Sequence, residues 1–394
     1  MPTVSLRTVV RTFTPNWFTV TMGTGVLALC LAQVPLNSPL LHAIAVTLWL
    51  LNIGLFTVIT ALYAAHWLLF PAEARRVFDH PVMSMFFGAI PMGLTTIVNG
   101  TLAFGPEVLG DPATAVRIAT GLWWINAALA LLCGLVIPYF MFTRQDHRFD
   151  RMTAVWLLPI VASEVAAASA GLLVPHLPPD QAYTVLLLGY VLWACSVPLA
   201  LSLLVLLFLR LVLHSLPERE MGVTGWLALG PIGTGALGLL VLGDDAPAVF
   251  AAQGLAGVGA VAYGLGIIGG VVLWGYGLWW LALAAVKTLR YAREGLPFNL
   301  GWWGFTFPLG VYTLATLALG RMTHLPLFTL CGGLLVVCLA LFWMLVASNT
   351  AASLWRGRLF PAPAPVPEAA PLPLSSASPL SNSLCDAARP PVGF

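Results

Sequence analysis

Between Gly301 and Gly320 the chain carries no charged residue, and within that run stands Pro308. Such a run is long enough to cross a bilayer as a helix. Pro308, however, has no N–H to offer the carbonyl of Gly304, and Gly310 adds slack two residues on. A helix facing lipid would leave the freed carbonyl in hydrocarbon, so the bend should face protein or a water-filled cavity. Phe305 and Phe307 stand beside it.

The break recurs. Pro91, Pro159, Pro231 and Pro308 fall near the middles of apolar runs, and Gly23 and Gly25, flanking Thr24, take the same place in the first run. The interval is roughly 70 residues, repeated through the chain, with two apolar runs in each period. Units that cross twice return the chain to the same side, and like-oriented units are related by an axis along the membrane normal. The expected fold is therefore an all-α integral membrane protein of ten transmembrane helices. They form five helical hairpins, with short broken odd helices around a central pore and longer even helices outside. Pro198 in the sixth run and Pro138 near the end of the fourth do not obey the rule. A regular bundle with scattered prolines is the alternative.

Composition agrees with a membrane location, since only 8% of the 394 residues are charged and 59% are hydrophobic. A soluble domain carries about 25% charged residues. The expected spans are 15–34, 40–69, 82–104, 115–142, 153–174, 183–213, 223–243, 254–284, 302–320 and 326–349. Residues 1–14 form a cytoplasmic N-terminus, 15–350 the ten-helix domain, and 351–394 a Pro-rich cytoplasmic tail expected to be disordered. Residues 71–81 read as an amphipathic connector at the membrane surface. Of 17 Lys and Arg residues, all but Arg117 and Arg321 fall on one side of a ten-span arrangement, which makes both termini cytoplasmic. Arg7 and Arg11 precede the first run as in a signal peptide, but no small-residue cleavage site follows, so the run reads as a retained helix. Richness in Ala, Leu, Gly and Pro with little Lys points toward a bacterial cytoplasmic (inner) membrane. In the eighth span, Gly266 and Gly270 form a small-xxx-small pair suited to close helix approach.

One carboxylate lies well inside a span, Glu164, five residues after Pro159. A charge at a helix centre costs about 2.5–3.5 kcal/mol on insertion scales, so Glu164 is a candidate for proton coupling. The alternative is a structural glutamate hydrogen-bonded to Ser163, Ser169 or a freed carbonyl. The remaining polar candidates on odd spans are neutral: Thr24, Thr95, Asn99, Ser163, Thr234 and Thr306. Hydroxyls and amides replace part of an anion's hydration without binding it by full charge. For each alone, hydrogen bonding between helices is the commoner role.

Enzyme readings find no support in motifs. There is no H-E-x-x-H, G-x-S-x-G, Walker A or dinucleotide-binding glycine pattern. The seven histidines are scattered, the six cysteines lack C-x-x-C spacing, and no basic run suggests nucleic acid. Neither a metal nor a cofactor is expected, and an intramembrane enzyme is the distant alternative.

Asn16-Trp17-Phe18 followed by Met22-Gly23-Thr24-Gly25, and Trp302-Trp303-Gly304-Phe305-Thr306-Phe307-Pro308, resemble the tellurite-resistance/dicarboxylate transporter family. The run Leu157-Leu158-Pro159-Ile160-Val161-Ala162-Ser163-Glu164 is similar to its C4-dicarboxylate/malic acid transport branch, related to plant slow anion channels. The resemblance covers about residues 12–350. It implies transport of small anions, malate foremost, with a passive anion channel or a sulfite or tellurite exporter as variants. It further implies a homotrimer with one pore per subunit, each gated by a phenylalanine on the ninth helix. The match falls on Phe307, with Phe305 the close competitor.

Overall fold

The computed structural model describes residues 5–360, and every regular element among them is helical. Ten helices form the body. They are α1 (Phe18–Gln33), α2 (Pro39–Leu69), α3 (Ala89–Leu109), α4 (Pro112–Thr143), α5 (Leu158–Leu173), α6 (Pro179–His214), α7 (Leu229–Asp244), α8 (Ala256–Glu294), α9 (Phe307–Thr323) and α10 (Pro326–Trp355). Short helices Leu6–Arg11, Pro71–Arg76 and Ala246–Ala252 lie outside or between them.

Among the described residues, nine helices are long and apolar enough to cross a bilayer, against ten expected. The difference lies at 302–320. Its first part, Leu300–Phe305, is a 3-10 helix, and the α-helical part that follows has 17 residues.

All five odd helices are entered this way. The 3-10 turns Pro15–Trp17, Met83–Gly88, Ala154–Leu157, Arg219–Ala228 and Leu300–Phe305 lead into α1, α3, α5, α7 and α9. Pro91, Pro159, Pro231 and Pro308 sit in the first turn of their α-helices, where an N–H has no intrahelical partner to lose. Each recurrent break is thus a change of pitch from 3-10 to α rather than a kink within an α-helix. Gly23 and Gly25 are not breaks at all, because α1 runs through them without interruption. Their role is close packing. A Cβ at Gly23 would collide with Thr306 and Trp303, and one at Gly25 with Thr96 and Asn52.

Helix length and burial alternate together. The odd helices are covered on nearly every face, whereas the even ones bury one face and expose Leu, Val and Ile on the other. That is the pattern of a helix with protein on one side and hydrocarbon on the other. Each odd helix packs on the even helix that follows it. The odd helices also touch in a closed circuit, α1 to α3, α3 to α5, α5 to α7, α7 to α9, and α9 back to α1. Gly266 and Gly270 of α8 face α7 of the same chain, where a Cβ would meet the Leu239 carbonyl and the Leu240 side chain.

After α10, residues 356–360 fold back. Phe360 stacks on Trp17 at 5.4 Å, and Trp17 on Phe13 at 5.6 Å. The chain is therefore packed past residue 350, and the expected Pro-rich tail from 361 onward lies outside the described residues.

Candidate functional site

Where the 3-10 turns become α-helix, the five odd helices meet around a small hollow. Met22 of α1, Met92 of α3, Leu158 and Val161 of α5, Gly230 of α7 and Phe307 of α9 line it, with Leu157, Leu227 and Pro308. Its volume is about 20 Å³, room for little more than one water. No polar side chain reaches its wall. An ion here would give up hydration with nothing to replace it, so the hollow is an apolar constriction between the five odd helices.

The two phenylalanine candidates part company. Phe307, the first residue of α9, is on the wall of the hollow. Phe305 is not. It ends the 3-10 turn and packs edge-on to Trp226 at 5.6 Å and tilted against Phe342 at 5.0 Å.

None of the six neutral polar candidates lines the hollow. Thr24 accepts the Trp343 indole N–H from α10 at 3.1 Å. Thr95 accepts the Asn126 amide from α4 at 2.7 Å. Asn99 accepts the Ser169 hydroxyl at 2.5 Å, joining α3 to α5. Ser163 faces Gly134 of α4. Thr234 and Thr306 donate to the carbonyls of Gly230 and Trp303 in their own segments. Such bonds are what a hydroxyl does in a medium without water, where an unmet polar group is costly.

Glu164 is fully buried and turned toward α6, and it too is missing from the wall. Its Oε2 lies 3.1 Å from the Ser196 hydroxyl, while Oε1 has no partner. Ser163 and Ser169, the partners expected from sequence, are bonded elsewhere or not at all to it.

A second periodicity escaped the sequence reading. Each even helix carries a tryptophan directed at the next odd helix. Trp49 packs over Gly100 of α3, and Trp123 donates to the Ala166 carbonyl of α5 at 3.0 Å. Trp193 donates to the Gly235 carbonyl of α7 at 2.9 Å, Trp274 to Thr316 of α9 at 2.9 Å, and Trp343 to Thr24 of α1. The signal that could have found them is their own spacing, again roughly 70 residues.

A polar hollow of about 480 Å³ lies outside the constriction, near the loops between α4 and α5 and between α6 and α7. Arg148, Arg151 and Arg210 line it, but so do Asp146, Asp150 and Glu218. Arg210 is spent on the carbonyls of Asp150 and Ser215. His147, bonded to Gln145 and set edge-on to Trp156, is held below the ordinary histidine pKa by burial. Among the described residues no cluster of three or more His, Cys, Asp or Glu could hold a metal.

Buried helices closing on an apolar constriction, sheathed by long helices with hydrocarbon-facing sides, define a multi-pass membrane protein of the transport type. The chain belongs to the SLAC1 family, the voltage-dependent anion channels, whose pattern it matches over residues 12–351. It is 38% identical over 344 residues to the sulfite efflux pump SSU1 of Arthroderma benhamiae, an alignment covering 86% of this chain and 90% of that protein. It is 27% identical to an uncharacterised transporter of Methanocaldococcus jannaschii, covering 89% and 96%. It is 22% identical to the malic acid transport protein of Schizosaccharomyces pombe, covering 88% and 79%.

Proposed function

We propose that this protein moves small oxyanions across a cytoplasmic membrane through the space enclosed by α1, α3, α5, α7 and α9, with Phe307 as its gate. The observation that carries this reading is the constriction itself, to which every odd helix contributes a wall and α9 contributes Phe307. The closed circuit of odd-helix contacts supports ten crossings in five hairpins. The distribution of Lys and Arg supports cytoplasmic termini. Assembly as a homotrimer and a bacterial inner-membrane location are what the family resemblance and composition imply.

Sulfite is the first substrate to test, because relatives named as sulfite efflux pumps share 38% identity with this chain. Malate is the second reading, favoured by the malic acid transport protein at 22% identity and by the motif around Pro159. An apolar constriction favours a singly charged form, hydrogensulfite over the malate dianion, since desolvation cost rises steeply with charge. Permeation is passive in this reading. Glu164 faces α6 and is not on the wall of the hollow, which supports this reading over a proton-coupled carrier.

The test is uptake of labelled sulfite and labelled malate into proteoliposomes, driven by voltage at equal pH or by a pH gradient at clamped voltage. Voltage-driven sulfite uptake supports the channel reading. Malate uptake that follows the pH gradient replaces it with the carrier, and no uptake of either anion by folded protein removes both substrates.

A further inference from the structure

The glycines of α7 are of two kinds. A Cβ at Gly233 would lie 2.6 Å from the Tyr312 nitrogen of α9, and one at Gly235 3.3 Å from Val197 of α6. At Gly238 it would lie 3.0 Å from the Trp193 ring, and at Gly243 2.9 Å from the Ala262 carbonyl oxygen of α8. Backbone contacts leave no room for a Cβ at Gly233 and Gly243, and side chains crowd the place of one at Gly235 and Gly238.

Gly230 is different. It is buried, yet a Cβ built on it meets no atom beyond its own stretch of helix within 4 Å. No other buried glycine among the described residues has that freedom. Its φ is not in the left-handed region, so backbone conformation does not require glycine either. A glycine in a helix is less stable there than alanine, and neither packing nor conformation explains this one. What Gly230 leaves open is the hollow it shares with Met22, Met92 and Phe307.

We propose that Gly230 is the specificity-determining residue of the passage: its missing side chain is the clearance through which an anion passes once Phe307 moves aside. This rests on the transport reading above and adds the residue that sets the size limit. Phe307 and the two methionines turn about flexible side-chain bonds and can yield. The α7 backbone cannot, so clearance on that side is fixed by what residue 230 carries. A methyl group added there narrows the passage for every anion, and more severely for larger ones, by about tenfold in rate for a tight apolar site.

The experiment compares chloride and sulfite flux in proteoliposomes of wild type, Gly230→Ala and Gly230→Val, with thermal unfolding of each in detergent. The expected result is a sulfite flux lowered about tenfold in Gly230→Ala, a smaller loss for chloride, and a deeper loss of both in Gly230→Val. Gly230→Ala should unfold no earlier than wild type, because alanine is the better helix former and the space is free. Adding Phe307→Ala to Gly230→Val should leave flux well below that of Phe307→Ala alone, because the α7 side stays narrowed, and equal flux in the two proteins would overturn the proposal. An unchanged sulfite-to-chloride ratio in a stable Gly230→Ala protein overturns the proposal. Wild-type protein that carries neither anion overturns the transport reading, and this inference with it.

Discussion

Trp343 on α10 donates its indole N–H to the Thr24 hydroxyl on α1 at 3.1 Å, joining the last long helix to the first across 319 positions of chain. The joint continues the even-to-odd pattern of Trp123, Trp193 and Trp274, and here it brings together the two ends of the circuit. In a hydrocarbon setting an indole N–H without an acceptor is costly, so the bond both satisfies the donor and fixes which helix closes on α1.

Trp343→Phe should therefore lower stability by about 1 kcal/mol, within the range found for hydrogen bonds between membrane helices. Thr24→Val should cost about the same, and the double variant should be no worse than either single one. Unfolding in mixed detergent micelles reads all three. Strictly additive losses would mean that the two side chains do not act through each other.

The architecture was legible because its signals are long and repeated. Uncharged runs gave the helices, the roughly 70-residue period gave the grouping, and Pro91, Pro159, Pro231 and Pro308 marked one equivalent place in four units. The meaning of that place was less legible. A proline in an apolar run reads equally as a kink or as the first turn after a 3-10 segment, and only the backbone separates them. Gly23 and Gly25 share the ambiguity, since a glycine packed closely on Thr306 or Thr96 looks the same in sequence as one that loosens a helix. For the polar candidates, direction was the illegible part. Sequence shows that Thr24, Thr95 and Thr306 lie on odd helices, but not that their hydroxyls are turned to Trp343, Asn126 and the Trp303 carbonyl. Gly230 carried no sequence signal at all. It is one of many glycines, and what marks it is an empty space.

Phe307 and Phe305 provide a paired test of the gate. Phe307→Ala removes a ring from the apolar constriction and should raise anion flux while the protein stays folded. Phe305→Ala removes a ring held between Trp226 and Phe342, so it should lower stability by about 3–5 kcal/mol without opening the passage. Flux and thermal unfolding measured on both proteins separate the outcomes. A flux increase in Phe305→Ala with none in Phe307→Ala would reverse the assignment.

Arg11 ties the N-terminal helix Leu6–Arg11 to Glu73 of the helix Pro71–Arg76, with its Nε 2.9 and 3.0 Å from the two carboxylate oxygens. The hydrogen bond from Arg11 holds the Glu73 carboxyl below its ordinary value, so the charged form is favoured in the folded protein. The stability it contributes is present above the ordinary glutamate range and is lost as pH falls through the depressed folded value. Acidification should loosen the N-terminal helix and, through Phe13, the stack of Trp17 with Phe360. Glu73→Gln should produce that loosening already at neutral pH and flatten the acid response. Protease sensitivity of the first residues, followed against pH in both proteins, tests the sign.

The arrangement around Glu164 asks for a proton rather than a charge. The Ser196 hydroxyl lies 2.9 Å from the Ile160 carbonyl oxygen and 3.1 Å from Glu164 Oε2, and its single proton cannot serve both acceptors. No Lys, Arg or His pairs with the carboxyl among the described residues. If Glu164 carries a proton and donates it to Ser196, Ser196 is free to donate to Ile160, and the chain of bonds closes. Glutamine has the same shape and an N–H₂ in place of the acid O–H, so Glu164→Gln should keep fold, flux and the pH dependence of flux. Glu164→Ala takes away the donor to the Ser196 oxygen and leaves a void, and should cost about 1–3 kcal/mol. An infrared carboxylic-acid band present from pH 5 to pH 8 in wild type and missing in Glu164→Gln would report the proton directly. Uptake driven by a pH gradient at clamped voltage, lost in Glu164→Gln, would instead give Glu164 the coupling role that its position between α5 and α6 argues against.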